Sequence, residues 1–308
     1  MYKQLEKEIK ELRPNISDSS IALYLRNIRI LYGKLHNGDM QSLDWLDDFE
    51  TVIDEINEFK ALSTRRNYIN SINSVLQTTD SDVLSLYEAY YTEISNKYNK
   101  KRSEQKKTEK EKENWVDLPS LKEIKLSYKK QYDEIIKKDN IDKKEFDILQ
   151  RYIVCMLYIG SVKNPPLRLD YAGVKVRQIE EYDKNDTSNV LVIKPTSMFL
   201  HLAKYKTKNI YGEKKIPIAP PIYNVLKEWL RYNTSGFLLV TVNKTPMNNN
   251  NLTKYINKVF QATGKKISAT MLRHIYLSDK FPADLKKREE TANRMCHSVS
   301  TGVEYSKK

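Results

Sequence analysis

The string NKYNKKRSEQKKTEKEKEN, residues 96–114, contains no Val, Ile, Leu, Met or Phe, and its eight Lys and Arg outnumber its four Glu. A segment so composed has no apolar face to bury and reads as a basic linker. Its place in the chain sets the organisation, because 308 residues have room for about two domains and the hydrophobic patterns differ on its two sides. The expected division is a helical domain at 1–98, a basic linker at 99–114 and a mixed domain at 115–308.

Before the linker the signals are helical. Leu5, Ile9 and Leu12 fall on one face ahead of Pro14, and the serines from Ser17 to Ser20 offer N-caps for a second helix. In that helix Ile21, Tyr24, Leu25, Ile28, Leu31, Tyr32 and Leu35 recur at the three-and-four spacing of a buried stripe, which turns Arg26 and Arg29 elsewhere. A later helix opens at Ser63-Thr64 and buries Tyr68, Ile69, Ile72, Val75 and Leu76, leaving Arg65 and Arg66 in its first turn. Cations are unfavourable beside a helix N-terminus, so another group should hold them there, and phosphate is the expected one.

Beyond Trp115 helices are predicted at about 119–138 and 142–159, followed by the loop Ser161-Val162-Lys163-Asn164-Pro165-Pro166, which no helix can cross. Short β-type runs follow at Val190 to Ile193, Met198 to Leu202 and Ile216 to Ile218, the last two flanking a basic loop. Pro220-Pro221 starts a helix carrying Ile222, Val225, Leu226 and Trp229, and further helices fit about 251–262, 268–280 and 283–295. The fold class is therefore mostly α with a small β-sheet.

Composition narrows the function. The formal charge is +13, and a basic balance over a folded chain points to a polyanionic partner, nucleic acid before lipid, since no strongly basic amphipathic stretch stands alone. The mean hydropathy of −0.66 and the lack of a long apolar run argue against a membrane span. The N-terminus has no apolar core of the kind a secretory leader needs, so an intracellular protein is expected. Two cysteines, Cys155 and Cys296, with four histidines offer neither a disulfide framework nor a zinc site; no metal and no cofactor are expected.

Four separated pieces hold residues able to break and remake a phosphodiester. They are Pro165-Pro166-Leu167-Arg168-Leu169-Asp170-Tyr171, Lys204-Tyr205-Lys206-Thr207-Lys208, Thr270-Met271-Leu272-Arg273-His274, and the run from Cys296 to Tyr305. Each alone has an ordinary explanation as a loop salt bridge, a solvated turn, a helix-face charge or a cap.

Their order resembles the tyrosine recombinases, the family of lambda integrase and Cre. That family has an arginine after a helix, a lysine in a β-hairpin, a His-x-x-Arg helix, and a His or Trp shortly before a nucleophilic tyrosine. Lys206-Thr207 resembles its hairpin Lys-Thr, and Leu272-Arg273-His274 its Leu-Arg-His; Met295-Cys296-His297-Ser298, Ser300-Thr301 and Tyr305 resemble its last motif. The Pro-Pro-Leu-Arg-x-Asp-Tyr form is most like recombinases of large DNA viruses and related mobile elements. The resemblance implies a helical, SAM-like core-binding domain joined to a mixed α+β catalytic domain. It also implies site-specific cleavage and rejoining of double-stranded DNA through a 3′-phosphotyrosyl intermediate, by a homotetramer on two DNA sites, wherever the DNA replicates (host nucleus or viral factory).

The chemistry fits these residue types. Attack on a phosphate builds charge on its non-bridging oxygens, which the forked donors of Arg168 and Arg273 can bind. His297 can add a third donor, Lys206 can protonate the leaving 5′ oxygen with Lys204 and Lys208 as competitors, and Tyr305 is the expected nucleophile. Arg26, Arg29, Arg65, Arg66, Lys204, Lys208 and Thr270 are the expected DNA contacts. Thr270 stands where the family has His or Lys, so removal of the Tyr305 proton falls to His297, to the phosphate or to a water. Tyr305 follows His297 by eight residues, where nine is commoner, and only three residues follow it, so the exchanged C-terminal helix of many relatives is absent or was cut away. The alternatives are a type IB topoisomerase-like enzyme that relaxes DNA, and a non-catalytic DNA-binding relative.

Overall fold

A computed structural model describes residues 1–104, 106–161, 163–280 and 285–295, with 285–289 as backbone only. These residues divide into two compact units, Met1–Glu104 and the remainder, each with its own core.

The first unit is helical: α1 (Tyr2–Leu12), α2 (Asp18–Leu35), α3 (Phe49–Asn57), α4 (Leu62–Leu76) and α5 (Leu84–Ser103). Ser17 caps α2 by accepting from the Ser20 amide, as its sequence predicts. From Tyr68 onward α4 is almost wholly buried, because it lies between α2 and α5. Its buried Ser71 is matched inside: Asn27 Nδ2 donates to Ser71 Oγ (3.0 Å), which donates to the Asn67 carbonyl (2.8 Å). Leu5 and Ile9 are buried, but Leu12, at the frayed end of α1, is 57% exposed.

The stretch read as a linker is helical over much of its length. Helix α5 runs to Ser103, and α6 (Glu109–Asn114) follows. Composition misled here because Lys and Glu are good helix formers even where no apolar face forms. Thr108 and Glu111 make a reciprocal capping box at the start of α6, and Lys112–Glu109 bridges it across one turn (2.7 Å).

The second unit continues with α7 (Leu118–Ile135), α8 (Lys143–Ile159), β1 (Lys175–Gln178), β2 (Val190–Ile193), β3 (Met198–Leu202), α9 (Lys208–Tyr211), β4 (Lys214–Pro217), α10 (Pro220–Tyr232), α11 (Asn249–Val259), α12 (Ala269–Lys280) and α13 (Leu285–Arg294). Helix α8 is the central post, buried on nearly all sides from Leu149 to Ile159 and packed against α7, α10, α11 and α12. The sheet has the order β1-β2-β3-β4; β1 and β2 are parallel, and the other pairs antiparallel. Strand β1 has no sequence signal of its own, since Lys175, Arg177 and Gln178 alternate only with Val176. The architecture is mostly helical with a small four-stranded mixed sheet. No described helix is long and apolar enough to cross a membrane.

Candidate active site

The loop leaving α8 is built to hold one conformation. Gly160 ends the helix at φ +71° and ψ 179°, a region open essentially only to glycine. A Cβ there would lie 2.7 Å from Pro166 Cδ. Asn164 then ties the loop to the sheet: its side chain donates to the Pro217 carbonyl (2.8 Å) and accepts from the Ala219 amide (2.7 Å). Ser161 N–H closes the turn onto the Asn164 carbonyl (2.9 Å). Pro165, Pro166 and Leu167 are buried, and the Tyr158 hydroxyl on α8 donates to the carbonyl of Arg168 (2.8 Å). Arg168 therefore leaves a backbone fixed from both α8 and β4.

Arg273 comes from α12. Its side chain is 0% exposed, and a guanidinium so far from water requires opposite charge nearby. Asp170 supplies it. Burial pushes the Asp170 carboxyl above its ordinary value, while the positive charges of Arg168 and then Arg273 act in the opposite direction. Arg273 also lies within electrostatic reach of Tyr158. Asp170 thus feels the charge of both predicted arginines, one from the α8 loop and one from α12.

Neighbours on α12 fix it on either side of Arg273. His274 Nδ1 meets Glu111 Oε1 of α6 at 2.9 Å, and the Tyr276 hydroxyl donates to the Ser161 carbonyl at 2.9 Å. The second bond joins the arginine helix directly to the loop that leads to Arg168. Burial raises the Tyr276 phenol to about 12, so it stays a donor at neutral pH. Thr270, one turn before Arg273, is exposed.

The lysine cluster lies between β3 and β4, as expected, but α9 shapes the loop. Lys204 and Lys206 are exposed, whereas Lys208 pairs with Glu213 at 3.1 Å. Tyr205 is buried beneath the loop, its hydroxyl donating to the Gly212 carbonyl (2.6 Å).

The first-unit arginines have varied surroundings. Arg26 is exposed on α2, and Arg29 stacks over the Tyr2 ring at 4.5 Å. Arg65 donates to the Phe59 carbonyl (2.6 Å), the Asn57 carbonyl (2.7 Å) and Asn57 Oδ1 (3.1 Å). The group that holds this cation at the start of α4 is thus the carbonyl-rich end of α3, which favours positive charge. Arg66 donates to Ser95 Oγ (2.9 Å) and the Tyr91 hydroxyl (2.8 Å), joining α4 to α5. Both have a protein-internal reason to be where they are. His297 and Tyr305 lie outside the described residues.

The sequence reading gave no role to Asp170, Tyr158, Tyr276 or Glu111. For Asp170 a signal existed: a carboxylate two residues after a loop arginine, inside an otherwise apolar turn, is placed for charge compensation. The other three are hydroxyl or carboxylate contacts between distant segments, which no local pattern announces. Among the described residues no group of His, Cys, Asp and Glu could hold a metal ion.

No family profile matches the chain, and no curated protein matches it. Among solved structures the chain is similar to the crystal structure of XerA recombinase, at 10% identity and a TM-score of 0.40, with 100% of this chain and 94% of that chain covered.

Proposed function

We propose that this chain is a site-specific DNA recombinase that cleaves and rejoins duplex DNA through a 3′-phosphotyrosyl intermediate. What supports the reading best is that one carboxylate, Asp170, lies within electrostatic reach of both Arg168 and Arg273. Two guanidiniums gathered from separate segments, in the order of the tyrosine-recombinase motifs, suit the two non-bridging oxygens of a phosphodiester.

In this mechanism the Tyr305 oxygen attacks phosphorus, its proton passes to His297, and the bond from phosphorus to the 5′ oxygen breaks. Lys206 gives a proton to that oxygen, a role worth about 10² to 10⁴ in rate. The phosphotyrosyl bond keeps the energy of the broken linkage, so a second 5′ hydroxyl can reverse each step on a new partner strand. The reading includes a homotetramer on two duplexes, one protomer for each of the four strands cut and rejoined.

The test is incubation of the full chain with nicked duplexes tiled across the DNA that flanks its own gene. A covalent protein–DNA adduct and joining to a second duplex are expected, and Tyr305→Phe should bind DNA yet form no adduct. An adduct that persists in Tyr305→Phe, or one mapping to another tyrosine, refutes the assignment. Relaxation of supercoils without joining to a second duplex replaces recombination by topoisomerase activity.

A further inference from the structure

The loop bearing Lys206 is anchored to the sheet through a buried histidine. His201 on β3 stands opposite Lys215 on β4 and is 1% exposed. Both ring nitrogens are engaged: Nδ1 with the Tyr182 hydroxyl at 3.1 Å, and Nε2 with Glu213 Oε2 at 3.1 Å. A neutral ring protonated on Nε2 satisfies both, donating to the carboxylate and accepting from the phenol. The other carboxylate oxygen, Oε1, receives Lys208 Nζ at 3.1 Å. Lys208, and next His201, hold the Glu213 carboxyl below the usual carboxylate range.

The loop between these anchors is closed by its own backbone. Lys208 N–H donates to the Tyr205 carbonyl (3.2 Å), Tyr211 N–H to Thr207 (3.1 Å) and Gly212 N–H to Lys208 (2.7 Å). Of the three lysines, Lys208 is turned onto Glu213, while Lys206 is exposed at the bend. Nothing in the fold of the sheet requires a carboxylate to reach from β4 to both a buried histidine and a loop lysine. A lysine that must meet one oxygen does need a fixed base, because its stem is flexible, and displacement by about 1 Å can cost on the order of a hundredfold in rate.

We infer that His201 and Glu213 are positioning residues for the proposed reaction: they tether Lys208, fix the loop, and present Lys206 rather than Lys208 to the leaving 5′ oxygen. This rests on the recombinase reading. The step is a proton transfer from Lys206 Nζ to the 5′ oxygen as its bond to phosphorus breaks, leaving a neutral amine and a free 5′ hydroxyl. Glu213 touches neither atom and acts through the geometry of the loop.

The experiment is single-turnover cleavage by the full chain, on an ordinary nicked duplex and on one with sulfur at the bridging 5′ position, which leaves without a proton. Lys206→Ala should lose about a hundredfold or more on oxygen and recover to within a few fold of wild type on sulfur. Glu213→Gln, an exposed change that spares the core, should lose about tenfold on oxygen and nothing on sulfur. Lys208→Ala, which breaks the same tether, should lose about tenfold on oxygen and recover on sulfur, as Glu213→Gln does. Hydrogen exchange at Lys208, Tyr211 and Gly212 should quicken in Glu213→Gln while β2 and β3 keep their protection. The inference is overturned if Glu213→Gln matches wild type on both substrates, loses equally on both, or leaves the loop amides unchanged. It is also overturned if Lys208→Ala, and not Lys206→Ala, shows the loss of about a hundredfold or more that sulfur restores. Failure of the underlying reading looks different, since then wild type forms no adduct or Lys206→Ala is equally impaired on both substrates.

Discussion

Gly160→Ala tests the loop that carries Arg168 more directly than any change at the arginine itself. Two effects add at this position. The backbone conformation, φ +71° with ψ 179°, costs a residue with a Cβ about 2 kcal/mol. The new Cβ would also stand 2.7 Å from Pro166 Cδ and 3.3 Å from the Asn164 carbonyl oxygen. A ring and a bonded backbone cannot swing aside as a flexible side chain can, and overpacking of this kind costs about 2 kcal/mol. Reduced freedom of the unfolded chain returns about 0.7 kcal/mol, so the net loss is about 3 kcal/mol. Gly173→Ala is the matched control: its φ of +67° is equally left-handed, but nothing lies within 4 Å of the added Cβ, and about 1 kcal/mol is expected. Urea unfolding followed by the fluorescence of Trp115 and Trp229, in a Trp45→Phe background that silences the first unit, measures both. Strain relieved by moving Pro166 displaces Arg168, so Gly160→Ala should also slow adduct formation more than Gly173→Ala does. Equal losses for the two variants, within about 0.5 kcal/mol, would refute the reasoning.

The surroundings of the first-unit arginines predict a clean split. Arg65→Ala should destabilise that unit by about 2 kcal/mol through the lost bonds to the end of α3; exposed Arg26→Ala should leave stability alone and, if it meets phosphate, flatten the salt dependence of DNA binding by about 1 in slope. Asp186 carries a pH signature: Ser188, then Lys175, hold its carboxyl at about 2. The unfolded chain therefore binds the extra proton between about pH 4 and pH 2, and the stabilisation is full above that window and vanishes as pH falls through it. Screening at this partly exposed site leaves about 1 kcal/mol, so the gap in urea stability between wild type and Asp186→Asn should be near that value at pH 7 and close below pH 4. Thr270→Ala, at an exposed position one turn from Arg273, should slow single-turnover cleavage less than tenfold, against about a hundredfold for His297→Ala; a Thr270→Ala as inactive as Arg273→Ala would make the threonine a phosphate ligand.

Much of the fold is legible because its signals are local. The serine cap of α2, the diproline start of α10 and the apolar run of α8 each follow from residues within a few positions of one another. Helix α6 and strand β1 escaped for the opposite reason. The first is held by a capping box and by Glu111 reaching His274, far along the chain; the second is polar in sequence and exists because its backbone pairs with β2. At the site, the arginines and lysines could be chosen by residue type and order, but their supports could not. The argument from the helix dipole was sound in asking what holds Arg65 and Arg66, yet the answer lay in α3 and α5, segments without distinct sequence signals.

The electrostatics of the site follow from its charge count. Two like charges within reach of one carboxylate repel each other, a burden a folded domain must offset before any substrate arrives. Asp170 sits within reach of both guanidiniums, and Tyr158 and Tyr276 hold the two segments that carry them. One carboxylate against two cations leaves the cluster attractive to a further anion. A phosphodiester supplies one charge in its ground state and approaches two as the tyrosine attacks, so donors fixed in advance gain more in the transition state than on binding. A second carboxylate would have neutralised the pair, and none would have left it strained. On the proposed recombinase reading, the half-buried Asp170 is the residue that lets two arginines wait together for a phosphate.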